Sequence, residues 1–217
     1  MINDLNPIAL SLFLALLSLV PVLVIMTTSF LKISVVAMLL RNALGVQQIP
    51  PNIAIYSLAL ILSAYVMAPI GQSVYLALQA RPGAMTSISV FIETSLQAAE
   101  PLRDFMLRNT TPEQLEFFVS TVQRLWPASL AQHVNQRDFT VLIPAFMVSE
   151  LTSAFMIGFL IYLPFVVIDL VVQSILLALG MMMMSPMTIS LPLKLLLFVM
   201  ADGWTRLLHS LVLSYAS

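Results

Sequence analysis

Four stretches of this chain run without a single charged side chain: residues 5–31, 42–80, 151–168 and 170–193. About 20 apolar residues suffice for a helix to cross a bilayer, so this pattern constrains the fold more than any motif does. Only 9% of the 217 residues are charged, against about 25% in an ordinary soluble domain. A soluble globule cannot cover its core with so little charge. The net charge of -1 leaves no basic face, so nucleic acid is not expected as a partner. There is no cysteine, which excludes thiol chemistry, thiolate metal sites and disulfides. The expected class is all-α, an integral membrane-type helical protein.

The charges divide the chain. Eleven of them fall in 81–138, and the remaining eight are Asp4, Lys32, Arg41, Glu150, Asp169, Lys194, Asp202 and Arg206. This gives an N-terminal apolar helical hairpin over 1–80, a soluble amphipathic region over 81–140 and C-terminal apolar helices over 141–217. Long apolar helices are expected at about 8–30, 53–80, 146–168 and 170–213, the last with breaks. Gly45 suits a left-handed helix end, Pro50-Pro51 exclude helix interior, and Asn52 suits a helix cap. Pro69 with Gly71, and Pro164, are expected to kink their helices, while Pro186 and Pro192 separate the last two. Thr111-Pro112-Glu113-Gln114 reads as a capping box. Leu115, Phe118, Val119 and Val122 then share one helical face, and Pro127 ends that helix. A further amphipathic helix is expected over 87–99. Met1 to Asn6 hold no Lys or Arg, so the first apolar segment reads as retained. Lys32 and Arg41 favour a cytoplasmic first turn, with 81–138 on the opposite side.

No catalytic constellation is present. There is no phosphate loop, no His-Glu-x-x-His and no nucleophile elbow, and His133 and His209 are isolated. No enzyme activity, cofactor or metal is expected. The informative residues are single charges in apolar surroundings: Glu150, Asp169 and Lys194, with Asp202 and Arg206 four apart and able to pair locally. A charge inside an apolar helix costs about 2.5–3.5 kcal/mol in lipid and faces a partner, a cavity or water. Three readings are open: neutralisation within one subunit, pairing between neighbouring subunits, and ion transport. Helical spacing places Tyr162, Asp169 and Gln173 on one side.

Gly180-Met181-Met182-Met183-Met184-Ser185-Pro186-Met187 is the most unusual run. Consecutive helical residues point about 100° apart, so these methionines cannot form a stripe, and Gly180 and Pro186 bracket a helix end or short loop. Flexible thioethers meeting on a symmetry axis would make a compliant ring that blocks water and ions by dewetting. The bland alternative is ordinary lipid- or core-facing packing.

Together these blocks carry a resemblance: Thr28-Ser29-Phe30-Leu31-Lys32; Leu40 to Asn52; Glu150-Leu151-Thr152-Ser153-Ala154-Phe155; Ile157 to Phe165; Ile168-Asp169-Leu170; Gly180 to Pro186; Ile189 to Leu195; and Asp202-Gly203-Trp204. The chain resembles the FliP/SctR family, the large core subunit of the type III secretion export apparatus, over about residues 8 to 206. The resemblance implies about five copies in a ring or helical cone, joined by two smaller membrane proteins. It places them in the bacterial inner-membrane part of a basal body, raised toward the periplasm. Apolar helices packed into a proteinaceous cone need not span lipid, which weakens the topology reading. The implied function is a central pore for unfolded secreted polypeptides, with Met181, Met182, Met183 and Met184 as its gasket. The run Met184-Ser185-Pro186 and the missing leader favour the injectisome branch over the flagellar one. An ion-coupled transporter or channel using Asp169 and Glu150, or a passive scaffold, are the alternatives.

Overall fold

The computed structural model describes residues 11, 18–46, 49–79, 97–181 and 183–216. Nine helices are described: α1 (Val20–Thr27), α2 (Phe30–Leu44), α3 (Asn52–Gln79), α4 (Glu100–Arg108), α5 (Pro112–Leu125), α6 (Ala128–Ala131), α7 (Phe139–Ala178), α8 (Met187–Met200) and α9 (Gly203–Leu213). No strand occurs among the described residues. The helix expected over 87–99 lies almost wholly outside them, as do Met1 to Asn6.

The spine is α7, 40 residues long, about 60 Å at 1.5 Å per residue. A bilayer core is about 30 Å thick, so an upright α7 reaches well beyond one. It enters every buried cluster. Leu142, Ala145 and Phe146 pack with Phe105 and Met106 of α4 and Leu115 of α5. Val141 packs with Val122 and Ala131, Ala154 with Val36 and Leu211, and Phe165 with Leu40 and Phe198. The described part of the polar middle, from residue 97 on, is therefore docked on the start of α7.

Helix α7 passes through Asp169 unbroken, so the expected division between 146–168 and 170–213 does not occur there. Pro69, Pro144, Pro164 and Pro192 all lie inside helices. Pro192 therefore does not break the chain, because apolar surroundings hold the remaining backbone bonds in a helix through a proline. The chain turns instead at two sites without proline. Between α1 and α2 it bends by 79°. Thr28 is extended there, and its hydroxyl donates back to the Val24 carbonyl at 2.6 Å. Ser63 of α3 donates to Thr28 Oγ1 at 3.0 Å and accepts from Ser29 at 3.2 Å, so the polar groups of the break are satisfied in the interior. Between α8 and α9 the bend is 59°. Asp202 is left-handed there, and Gly203 leaves room for the Phe198 ring, which Trp204 meets edge-on. Among the described residues two helices are long and apolar enough to cross a membrane, or up to four if each bent pair is one span.

Other details differ from the sequence reading. Gly45 is left-handed as expected, at φ 76. Asn52, however, is itself the first residue of α3: the Pro51 carbonyl accepts the Ala54 and Ile55 N–H groups, and Asn52 Oδ1 accepts from Arg41 at 2.5 Å. The Thr111 hydroxyl lies 3.3 Å from Ser149 of α7 instead of closing a capping box. A distant partner takes the side chain in both cases, and at Thr111 it leaves the local cap unmade. Near the start of α7, Arg137 bridges Glu100 at 3.0 Å and Asp104 at 2.8 Å, and Arg103 stacks on Phe139.

Gly158 sits where α7 meets α2, and a Cβ there would lie 3.0 Å from the Leu39 Cβ. Gly158→Val should therefore overpack the contact and destabilise the subunit by about 1–3 kcal/mol. Lowered thermal stability of the purified protein is the check, and an unchanged melting curve would mean that α2 moves away freely.

Candidate functional site

Two hydrogen bonds pin the end of α7. Gly180 N–H donates to the Leu177 carbonyl at 3.0 Å and Met181 N–H to the Leu176 carbonyl at 2.9 Å, with Gly180 at φ 71. This is a Schellman ending, in which glycine takes the left-handed position without steric penalty. On the far side, Thr188 donates to the Ser185 carbonyl through both its hydroxyl (2.7 Å) and its N–H (3.2 Å). The methionine run is thus a short loop tied at both ends. Met183 is wholly exposed, and Met181, Met184 and Met187 are about half exposed. Met182 lies outside the described residues.

Behind the loop is a cavity of about 270 Å³, whose lining includes Ser185, Met187 and Ser190 together with Asp169, Gln173 and Lys194. Lys194 Nζ donates to Asp169 Oδ2 at 2.6 Å and to the Ala43 carbonyl at 3.3 Å. That carbonyl belongs to the last turn of α2, where the helix dipole favours a cation. Lys194 is buried and Asp169 is 45% exposed. One ammonium thereby ties α2, α7 and α8 together behind the loop. Gln173 shares the cavity with Asp169 as the spacing anticipated, whereas Tyr162 does not line it and is exposed.

Glu150 is 1% exposed. Its Oε1 lies 2.9 Å from Lys32 Nζ, and its Oε2 accepts the Tyr215 hydroxyl. The Lys32 ammonium stands 4.0 Å from the centroid of the Tyr215 ring, which stacks on Phe105. Both charge pairs therefore close within one chain. Sequence reasoning missed Lys32 as the partner of Glu150, having treated it only as a topology signal, and missed Tyr215 altogether. Asp202 and Arg206 are exposed, not buried. The described residues contain no ion pair between them. Asp202 stands left-handed at the start of α9 and accepts from Thr205 Oγ1 at 2.9 Å, so its carboxylate is turned to its own helix start. Among the described residues no group of His, Asp or Glu has the arrangement of a metal site, and His133 and His209 are exposed.

The molecule is a membrane-type helical subunit that neutralises its interior charges internally and leaves long apolar faces uncovered. Residues 13–211 match the FliP family model. The chain is 54% identical over 210 residues to Yop proteins translocation protein R of Yersinia pestis, covering 97% of each chain. It is 49% identical over 206 residues to harpin secretion protein HrpW of Pseudomonas syringae pv. syringae, covering 95% of this chain and 99% of that one. Against virulence protein YscR of Salmonella typhimurium it is 46% identical over 214 residues, covering 97% and 98%. The chain belongs to the FliP family, on the side of the virulence-associated translocation proteins.

The two ion pairs should respond unequally to loss of one partner. Lys32→Ala strands Glu150 in the interior and should destabilise the fold by about 3–5 kcal/mol. Asp169→Ala strands buried Lys194 and should approach that size, whereas Lys194→Met leaves only a part-exposed carboxylate and should cost about 0–1 kcal/mol. Thermal denaturation of the purified variants orders them. Equal losses for Asp169→Ala and Lys194→Met would mean that the pair is not asymmetrically buried.

Proposed function

We propose that this chain is a core subunit of the type III secretion export gate of an injectisome, and that its methionine loop seals the pore. About five copies surround one axis in a head-to-tail ring or helical cone, with two smaller membrane proteins completing it. The assembly sits in the bacterial inner membrane within the basal body and projects toward the periplasm. Unfolded polypeptides pass along the axis. The subunit carries out no catalytic step. Met181, Met182, Met183 and Met184 form a compliant apolar constriction that excludes water and ions at rest and parts around a passing chain.

The observation that carries this reading is the loop itself. Its backbone is tied at Gly180 and Thr188, while Met183 touches none of its own fold closely enough to lose exposure. Apolar side chains held out from a fixed backbone are placed to meet another surface, not to fill their own core. The uncovered faces of α7 and α8, including Phe155, Phe159, Leu196 and Val199, support close packing against further subunits. The length of α7, about twice a bilayer core, supports an assembly that extends beyond the membrane.

Replacing Met181, Met182 and Met183 with alanine should shorten the side chains and leave a wetted opening. Ion conductance of planar bilayers carrying the variant complex should rise while ring yield persists, and secretion should fall less than the seal does. Tight bilayers with correctly assembled triple-alanine complexes would return the run to ordinary apolar packing and leave a passive scaffold as the better reading.

A further inference from the structure

The fourteen methionines are not placed alike. Met106 is completely buried in the cluster of α4, α5 and α7. Met156 and Met200 are exposed, but they lie on long apolar helices whose faces lipid or neighbouring copies cover. Met181, Met183 and Met184 differ from both groups. They stand on a loop, and Met183 retains essentially its whole surface. Beside them is a cavity whose lining includes the polar side chains of Ser185, Ser190, Lys194 and Asp169. In the gasket reading this loop faces the pore, whose water stands on either side of the constriction, so what water carries can reach the sulfur atoms at the rim of the ring.

We infer that the methionine loop is an oxidation site, and that its sulfoxide form holds the seal open to ions. The inference rests on the gasket reading. The reactant is a water-borne two-electron oxidant such as hydrogen peroxide. A lone pair of Met183 Sδ attacks one peroxide oxygen, the S–O bond forms and the O–O bond breaks. The proton on the transferred oxygen passes to the departing hydroxide, so the products are one sulfoxide and one water. The thioether is oxidised by two electrons and the peroxide is reduced by two. A flexible apolar side chain becomes a polar one with a strong hydrogen-bond acceptor. An apolar ring that closes by dewetting cannot stay dry when its lining binds water. The loop backbone is fixed at both ends, so the oxidised side chains cannot withdraw by moving the loop. Methionine sulfoxide reductases reverse the change, which makes it a switch and not only damage.

The test treats the intact assembled complex with hydrogen peroxide, follows ion conductance in planar bilayers and locates added oxygen by peptide mass spectrometry. Loop methionines should gain oxygen well before Met106. Conductance should rise several-fold in step with loop oxidation, and both should fall back after methionine sulfoxide reductase. A variant with Met181→Leu, Met182→Leu, Met183→Leu and Met184→Leu, compared with its own untreated conductance, should not respond to peroxide. The inference is overturned if the loop oxidises no faster than Met106. It is also overturned if the leucine variant responds as strongly, or if a fully oxidised loop stays tight in complexes whose triple-alanine form leaks. In that last case the gasket reading survives alone. If the oxidised and triple-alanine complexes are both tight, the gasket reading falls and takes this inference with it.

Discussion

The buried pair of Lys32 and Glu150 is the constraint on which the arrangement of the other helices rests. It joins α2 to α7 in an otherwise apolar contact. Apolar ridges tolerate sliding, because one leucine replaces another at little loss. An ion pair at 2.9 Å in a desolvated interior does not, since a displaced partner leaves a bare charge. Tyr215 takes the second carboxylate oxygen and lays its ring against the ammonium, so the segment after α9 is drawn into the same contact. Phe105 of α4 stacks on that ring. One polar knot thus fixes the register of elements from the beginning, middle and end of the chain. The Ser149 contact with Thr111, next to Glu150, holds α5 to the same turn of α7.

With the interior charges satisfied, the remaining surface is unlike that of a free-standing protein. In the two long candidate spans only 17% of the most apolar window is buried inside the fold. Apolar grooves lie between α1 and α3, where Val24, Phe30 and Leu60 line one, and between α7 and α8, where Val167, Val171 and Leu197 line another. Lipid can cover such faces, and so can other subunits. The bent pairs favour dense packing as well. A helix turned by 79° at Thr28–Ser29 presents its two halves to different neighbours, which a straight span cannot do.

The sequence made the helical class and most helix ends legible because they depend on local chemistry. Gly45 and Gly180 both mark left-handed endings, and the amphipathic face of α5 follows from spacing alone. What escaped was set by residues far apart in the chain. The bend at Thr28–Ser29 has no glycine or proline to announce it, since its hydroxyls depend on Ser63 of another helix. Asn52 and Thr111 are competent caps by type, but Arg41 and Ser149 claim their side chains. Pro192 looked like a break and is helix interior, because an apolar environment penalises an open backbone more than a proline penalises a helix. At the candidate site the loop was legible from Gly180 and Pro186. Neutralisation within the subunit was one of the open readings, but which cation serves Glu150 and which serves Asp169 was not legible, because any of several distant cations could have served.

The short methionine loop also says where compliance can and cannot reside. A long lid opens by swinging on hinges, with its backbone carrying the side chains away. Here the Schellman ending on one side and the Thr188 bonds on the other leave only a few free residues. Lys194 holds the helices behind the loop through Asp169 and the Ala43 carbonyl. A rigid side chain on such a loop, such as phenylalanine, would have to fit one partner shape and would jam when that shape changed. Methionine has three rotatable side-chain bonds and no branch, so its tip can move several ångströms while its Cα stays still. In the proposed gate, a fixed backbone with soft tips would keep the ring centred while its aperture adapts. Passage of a polypeptide through that proposed ring would require rotamer changes in a handful of side chains, without unfolding of α7 or α8.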